Sequence, residues 1–291
     1  MILSKLKFSS PKVTSETIFE LTVFIFSFYF LWIKGDTASY LSIVSLLLLV
    51  FWSVFSSFVF YILSWLVLGI SYFIFLYDNY NLSGNHNFFI FYLIFMILLY
   101  LSPSVQRLVK EEKSELYQKN IFYILFFIFL FATLHKCLSY DFLTGRTYLL
   151  YILVGGIPDL LFDLGILSDP TVKENADILI LFQNPRYTVA HTDFLKHPTQ
   201  YDAKFWALLF SYFTLFLEGL IPALMIFKKK WRGTYILLAT FPLLTYVFRP
   251  ELEFLLFLGI CATYYIYKKG DSIYKLGLSS CFIMIGLNMF V

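Results

Sequence analysis

From Ser39 to Tyr77 the chain runs without a single charged residue. A membrane-crossing helix needs about 20 apolar residues, with a range of roughly 17–25. The run is too long for one crossing, so it must fold back on itself. A tight turn near Ser56-Ser57 divides it best, with Ser64 to Gly69 as the alternative. No water reaches backbone groups at such depth, so each half must satisfy its own hydrogen bonds as a helix. The expected fold class is therefore all-α: a polytopic helical bundle in a membrane. Composition agrees, since 59% of residues are hydrophobic and 14% charged, against roughly 45–50% and 25% in soluble domains.

The remaining apolar segments complete the plan. Thr17 to Ile33 precedes the long run, and Phe88 to Leu101 follows the polar connector Asp78 to Asn87. Ser104 to Lys119 alternates charges with a few apolar residues and reads as a short surface helix, distinct from the next crossing at Asn120 to Lys136. Thr147 to Val154 is apolar but too short to cross, so it is expected to be re-entrant or interfacial. Gly155 to Lys204 forms the one sizeable extramembrane segment, and four more crossings follow: Phe205–Phe227, Gly233–Phe248, Phe254–Tyr267 and about Ile273–Phe290. The expectation is about nine crossings in a single transmembrane domain, 1–291.

Lysine and arginine set the orientation. With the N-terminus cytoplasmic, fourteen of the 22 basic residues fall inside, in four groups: Lys5, Lys7 and Lys12; Arg107, Lys110, Lys113 and Lys119; Lys228, Lys229, Lys230 and Arg232; Lys268, Lys269 and Lys275. That bias predicts a cytoplasmic N-terminus, with the C-terminus and the 155–204 loop outside. The same basic residues sit at segment ends, form no broad patch and add up to a net charge of only +3, so nucleic acid is excluded as a partner. Cys137, Cys261 and Cys281 lie far apart and give no disulfide framework or metal motif. The first apolar run has no small-residue cleavage site after it and is expected to be retained.

Two ionisable groups stand out against this background. The uncharged run from Asn120 to Leu134 ends directly in His135-Lys136, at or just inside the bilayer edge. An ionisable residue there is a functional-site hypothesis, although lysines at helix ends also snorkel to the headgroups. Glu218 lies mid-segment, four residues before Pro222, where a carboxylate must be protonated, paired or hydrated. It either ties helices together or takes part in chemistry. Pro222 removes a backbone hydrogen bond from that helix and is expected to kink it. Asp141 and Arg146, just after Lys136, and Arg249 and Glu251, in the turn Arg249-Pro250-Glu251-Leu252-Glu253, are candidate substrate-binding residues. In that turn the favoured reading is a solvated hairpin whose charges stop two helices at the interface. His191, Asp193 and His197 could ligate a metal, but their spacing fits no strong motif, and no metal site is assigned. Asp159 and Asp163, four apart, would share one helix face that suits either a cation or plain solvation, and solvation is the favoured reading.

The stretch His135, Lys136, Asp141, Phe142, Leu143 and Gly145, together with Glu218-(apolar)₃-Pro222 and the basic turn Lys228 to Arg232, resembles the horizontally transferred transmembrane domain family. That family includes the membrane part of vitamin K-dependent gamma-glutamyl carboxylase, and DoxX-like proteins are looser relatives. The resemblance covers Ile121 to Tyr267. It implies a membrane-embedded enzyme with an outward-facing pocket for an amphipathic substrate, whether a quinol, a lipid or a peptide end. It further implies a quinone or hydroquinone as cofactor class and a membrane or peptide partner in addition to the lipid bilayer. Lys136 would be the catalytic base, His135 its neighbour and Glu218 the carboxylate that orients substrate or carries protons. One position departs: where many members have Phe-His, this chain has Phe241-Pro242. The competing expectation is a non-catalytic accessory subunit or small transporter in which Lys136 and Glu218 pair. Direct, sealed contact between them favours that second expectation, and an open polar cavity the first.

Overall fold

The computed structural model describes residues 14–34, 37–55, 57–78, 85–102, 105, 107–153, 174–175, 203–228, 231–248 and 252–288. Among these residues there are eleven helices: α1 Ser15–Lys34, α2 Thr37–Phe55, α3 Phe58–Asp78, α4 Asn85–Tyr100, α5 Lys110–Leu138, α6 Tyr140–Leu143, α7 Arg146–Leu153, α8 Ala203–Phe227, α9 Arg232–Phe248, α10 Leu252–Lys268 and α11 Tyr274–Asn288. The described fold is thus all-helical, as the long uncharged runs require. Nearly all of the 155–204 loop lies outside the described residues, as do Arg249, Glu251, His191, Asp193, His197, Asp159 and Asp163.

The turn in the long run falls where the serines are. α2 ends at Phe55 and α3 begins at Phe58, and the Ser57 carbonyl accepts the first turn's Phe60 N–H at 3.1 Å. Among the described residues, five helices are long and apolar enough to cross a membrane: α1, α2, α3, α5 and α8. Their outward residues, among them Ile25, Val54, Ile70, Phe73 and Phe216, are large, apolar and exposed, a surface suited to lipid rather than water. The protein is a multi-pass membrane protein. α4, α9, α10 and α11 coincide with the other expected crossings but have 16, 17, 17 and 15 residues. At 1.5 Å per residue each is about 22–26 Å long, short of the roughly 30 Å hydrocarbon core.

One expectation is corrected. Lys110–Lys119 is not a surface helix separate from the next crossing, because α5 runs unbroken for 29 residues from Lys110 to Leu138. Charges mark where a helix leaves lipid but do not end it, and neither glycine nor proline interrupts this stretch. An exposed Glu115–Lys119 pair at 2.8 Å, one turn apart, instead supports the helix across the expected boundary. Its length, about 44 Å, matches the bilayer with its headgroup layers.

The chain forms two compact units, residues 1–120 and 121–291. In the first, α2 and α3 form a close hairpin and α1 lies against α2, α3 and α4. Small hydroxyl residues line these contacts: Ser27, Ser42, Ser45, Ser64 and Ser71 are buried, letting backbones approach where apolar burial gives no drive in lipid. Ser39 donates to the Leu31 carbonyl at 2.7 Å, satisfying one of the end carbonyls that α1 cannot pair itself. In the second unit α8 packs against α6, α7 and α9, while α9, α10 and α11 pack together. Phe142, Tyr148, Leu149, Ile152, Ala203, Ala207 and Phe210 form a core between α7 and α8, so the short apolar segment is buried against protein. The stretch carrying the family resemblance, 121–267, lies within this second unit.

Candidate functional site

In the second unit α5 delivers Lys136 and α8 delivers Glu218, and the two side chains meet directly. The Lys136 ammonium donates to both carboxylate oxygens of Glu218, and both residues are more than nine-tenths buried. Local sequence explains the approach. Gly219, beside Glu218, has no side chain, and a methyl placed there would lie 3.4 Å from Thr133 Cγ2, one turn before Lys136. Thr133 turns its hydroxyl inward to the Phe129 carbonyl at 2.7 Å, leaving its methyl as the contact surface. Leu217, Ile221 and Pro222 are buried on the same helix. α8 continues through Pro222 to Phe227, so the proline does not end the helix.

The polar turn after Lys136 folds back over the lysine. Ser139 caps α6 by accepting the Phe142 N–H at 3.3 Å, and the Phe142 ring then lies 5.3 Å from the Lys136 ammonium, a cation–π distance. Gly145 makes the return to α8 feasible. Its φ of +75° is one that side-chain-bearing residues rarely adopt, and a Cβ there would sit 3.0 Å from the Leu208 backbone nitrogen. Beyond it, the Tyr148 hydroxyl and Thr214 Oγ1 share a hydrogen bond of 2.8 Å in the buried α7/α8 contact. Asn175 reaches this core from the chain's long connection, donating to the Leu153 carbonyl at the end of α7 at 2.9 Å.

The other sequence candidates fall into place differently. His135 is exposed, as expected for a residue about 100° round the helix from Lys136, so it does not join the pair. Asp141 and Arg146 approach to 3.9 Å but keep 46% and 34% of their side chains exposed. Phe241 of the Phe241-Pro242 pair packs edge-on against Phe129, with ring centroids 4.8 Å apart, and so fills an apolar position.

A second polar centre lies in the first unit. Glu20 is buried one turn past Glu16 on the same face of α1. Tyr61 of α3 donates its hydroxyl to Glu20 at 2.7 Å. Lys113 of α5 lies in electrostatic reach of the same carboxyl, and Ser114, also on α5, donates to Glu16 at 3.2 Å. From sequence, Glu20 looks like an ordinary acid near a helix start, where the helix dipole favours one. The signal that could mark it is spacing: it stands a full turn deeper than Glu16, inside an otherwise uncharged run.

No family model, curated protein or solved structure matches the chain.

Proposed function

We propose that the protein is a non-catalytic membrane component, an accessory subunit or small transporter, in which Lys136 and Glu218 lock α5 to α8. The observation that supports this reading is the direct contact of the ammonium with both carboxylate oxygens, at a depth where neither residue is solvated. An amine held as an ammonium by two carboxylate oxygens has no lone pair to offer as a base. Displacing it would leave an unpaired charge in an apolar setting. Lys136→Ala and Glu218→Gln should each lower the thermal midpoint of the protein in detergent sharply, while Lys136→Met/Glu218→Leu recovers much of the loss. If each single variant keeps its stability but loses binding of a hydroquinone probe, the lock is the wrong reading.

A second reading, a carboxylase-like enzyme in a closed form, draws on the Phe142 ring held over Lys136. In it, an amphipathic substrate (quinol, lipid or peptide end) enters from the outer face between Lys136 and Glu218. His135, Asp141, Arg146, Arg249 and Glu251 are then its candidate neighbours, and binding of the hydroquinone probe to the wild-type protein is its test.

Either reading takes the nine-crossing topology with the N-terminus cytoplasmic and the C-terminus and 155–204 loop outside, following the basic-residue bias. Single cysteines at Lys113, Lys229 and Lys269 should react only from the cytoplasmic side, and one at Thr188 only from outside. Labelling of Thr188 and Lys229 from the same side would refute the nine-crossing count.

A further inference from the structure

The Glu20 centre lies in the first unit and shares no residue with the Lys136–Glu218 pair. We propose that Glu20 is a reversible proton-binding site, served from the end of the first unit at which α1, α3 and α5 begin. Three observations carry this. First, Glu20 is a carboxyl buried in a membrane-crossing helix, a placement costly enough to mark an ionisable residue as a functional-site candidate.

Second, its immediate partner suits both charge states. Tyr61 approaches it with a hydroxyl, and a hydroxyl donates to a carboxylate but accepts from a carboxylic acid by turning its hydrogen. Arginine, or an ammonium in direct contact, could serve only the anion. The reaction is the simple exchange of Glu20–COOH for Glu20–COO⁻ and a proton, with Lys113 in electrostatic reach of the anion.

Third, the centre has one polar approach and one closed side. Towards the helix starts, Glu16, Lys113 and Ser114 continue the polar track. In the other direction Phe24 and Trp65 are fully buried, with their rings 5.2 Å apart and edge-to-face. Among the described residues, the ionisable groups around Glu20 are Glu16 from its own helix, Tyr61 from α3, and Lys113 and Tyr117 from α5. Tyr100 of α4 lies behind Tyr117, their rings 4.3 Å apart, and α2 contributes no charged residue.

The test uses the full chain in detergent and dicyclohexylcarbodiimide, an apolar reagent that adds to carboxyl groups carrying a proton. Peptide mass spectrometry should find Glu20 modified, with the yield falling about tenfold per pH unit once the group titrates. Infrared difference spectra between acid and alkaline buffer should show a carboxylic C=O band that is lost in Glu20→Gln. Lys113→Gln should shift the pH profile of labelling upward, because the anion loses its nearby cation. If Glu20→Gln does not fold, Tyr61→Phe keeps the carboxyl and should likewise shift the profile upward. Labelling of Glu20 that does not change with pH, or no labelling at any pH, overturns the proposal.

Discussion

Glu20 and Glu218 are both carboxyls buried in membrane helices, and they are held in opposite ways. Glu218 is gripped at both oxygens by an ammonium that can only donate, so its anionic form alone is satisfied. Glu20 receives a hydrogen bond from the Tyr61 hydroxyl, with Lys113 in electrostatic reach, so either form finds partners. Burial alone therefore does not decide what an intramembrane acid does; the donor capacity of its partners does. A donor-only partner makes a lock, and hydroxyl partners make a site that can change charge.

The most demanding test applies one substitution to both. Glu218→Gln leaves the Lys136 ammonium buried without its counter-charge and should cost about 3–5 kcal/mol. Glu20→Gln keeps an acceptor for Tyr61 and should cost no more than about 1.5 kcal/mol, the scale of one hydrogen bond. Thermal unfolding of the two variants in the same detergent reads the difference. Equal losses would erase the distinction between lock and switch.

Gly145→Ala sharpens the comparison by disturbing only one side of it. The left-handed backbone and the 3.0 Å approach to Leu208 leave no room for a methyl, and the strain should amount to about 1–3 kcal/mol. The turn that holds Phe142 over Lys136 would shift, so stability should fall while carbodiimide labelling at Glu20 stays unchanged. Loss of that labelling would mean that the Glu20 centre depends on the geometry of the Gly145 turn.

Tyr148→Phe is a smaller version of the same probe. It removes the 2.8 Å bond to Thr214 and leaves that buried hydroxyl without this partner, for about 1–2 kcal/mol. The effect should fall on stability alone, leaving carbodiimide labelling at Glu20 unchanged.

The sequence discloses these sites unevenly, for physical reasons. Lys136 and Glu218 stand out because charge inside an apolar run is costly wherever the chain goes. Their contact does not, because 82 residues separate them and the rotational setting of α8 against α5 depends on features such as the bare face of Gly219. Glu20 is hidden because an acid near a helix start has an ordinary explanation. The join between Lys119 and Asn120 is misread for a related reason: polarity marks the edge of the lipid, and only backbone chemistry marks the end of a helix. Ser57 and Gly145 show the converse, since each marks a real turn through its own backbone or hydrogen bonding.

The smallest expected effect concerns Asp141 and Arg146, an ion pair close in sequence to the buried one but open to water. At 3.9 Å, with a third or more of each side chain exposed, the pair is screened by solvent and salt and should contribute under about 1 kcal/mol. Asp141→Asn and Arg146→Gln should therefore leave the thermal midpoint nearly unchanged at high salt. That near-silence makes them useful. A variant that keeps its stability yet loses binding of a hydroquinone or lipid probe has lost recognition, not fold, and would move the balance toward the enzyme-like reading. Variants that retain both properties leave the Lys136–Glu218 lock as the feature that governs this end of α5.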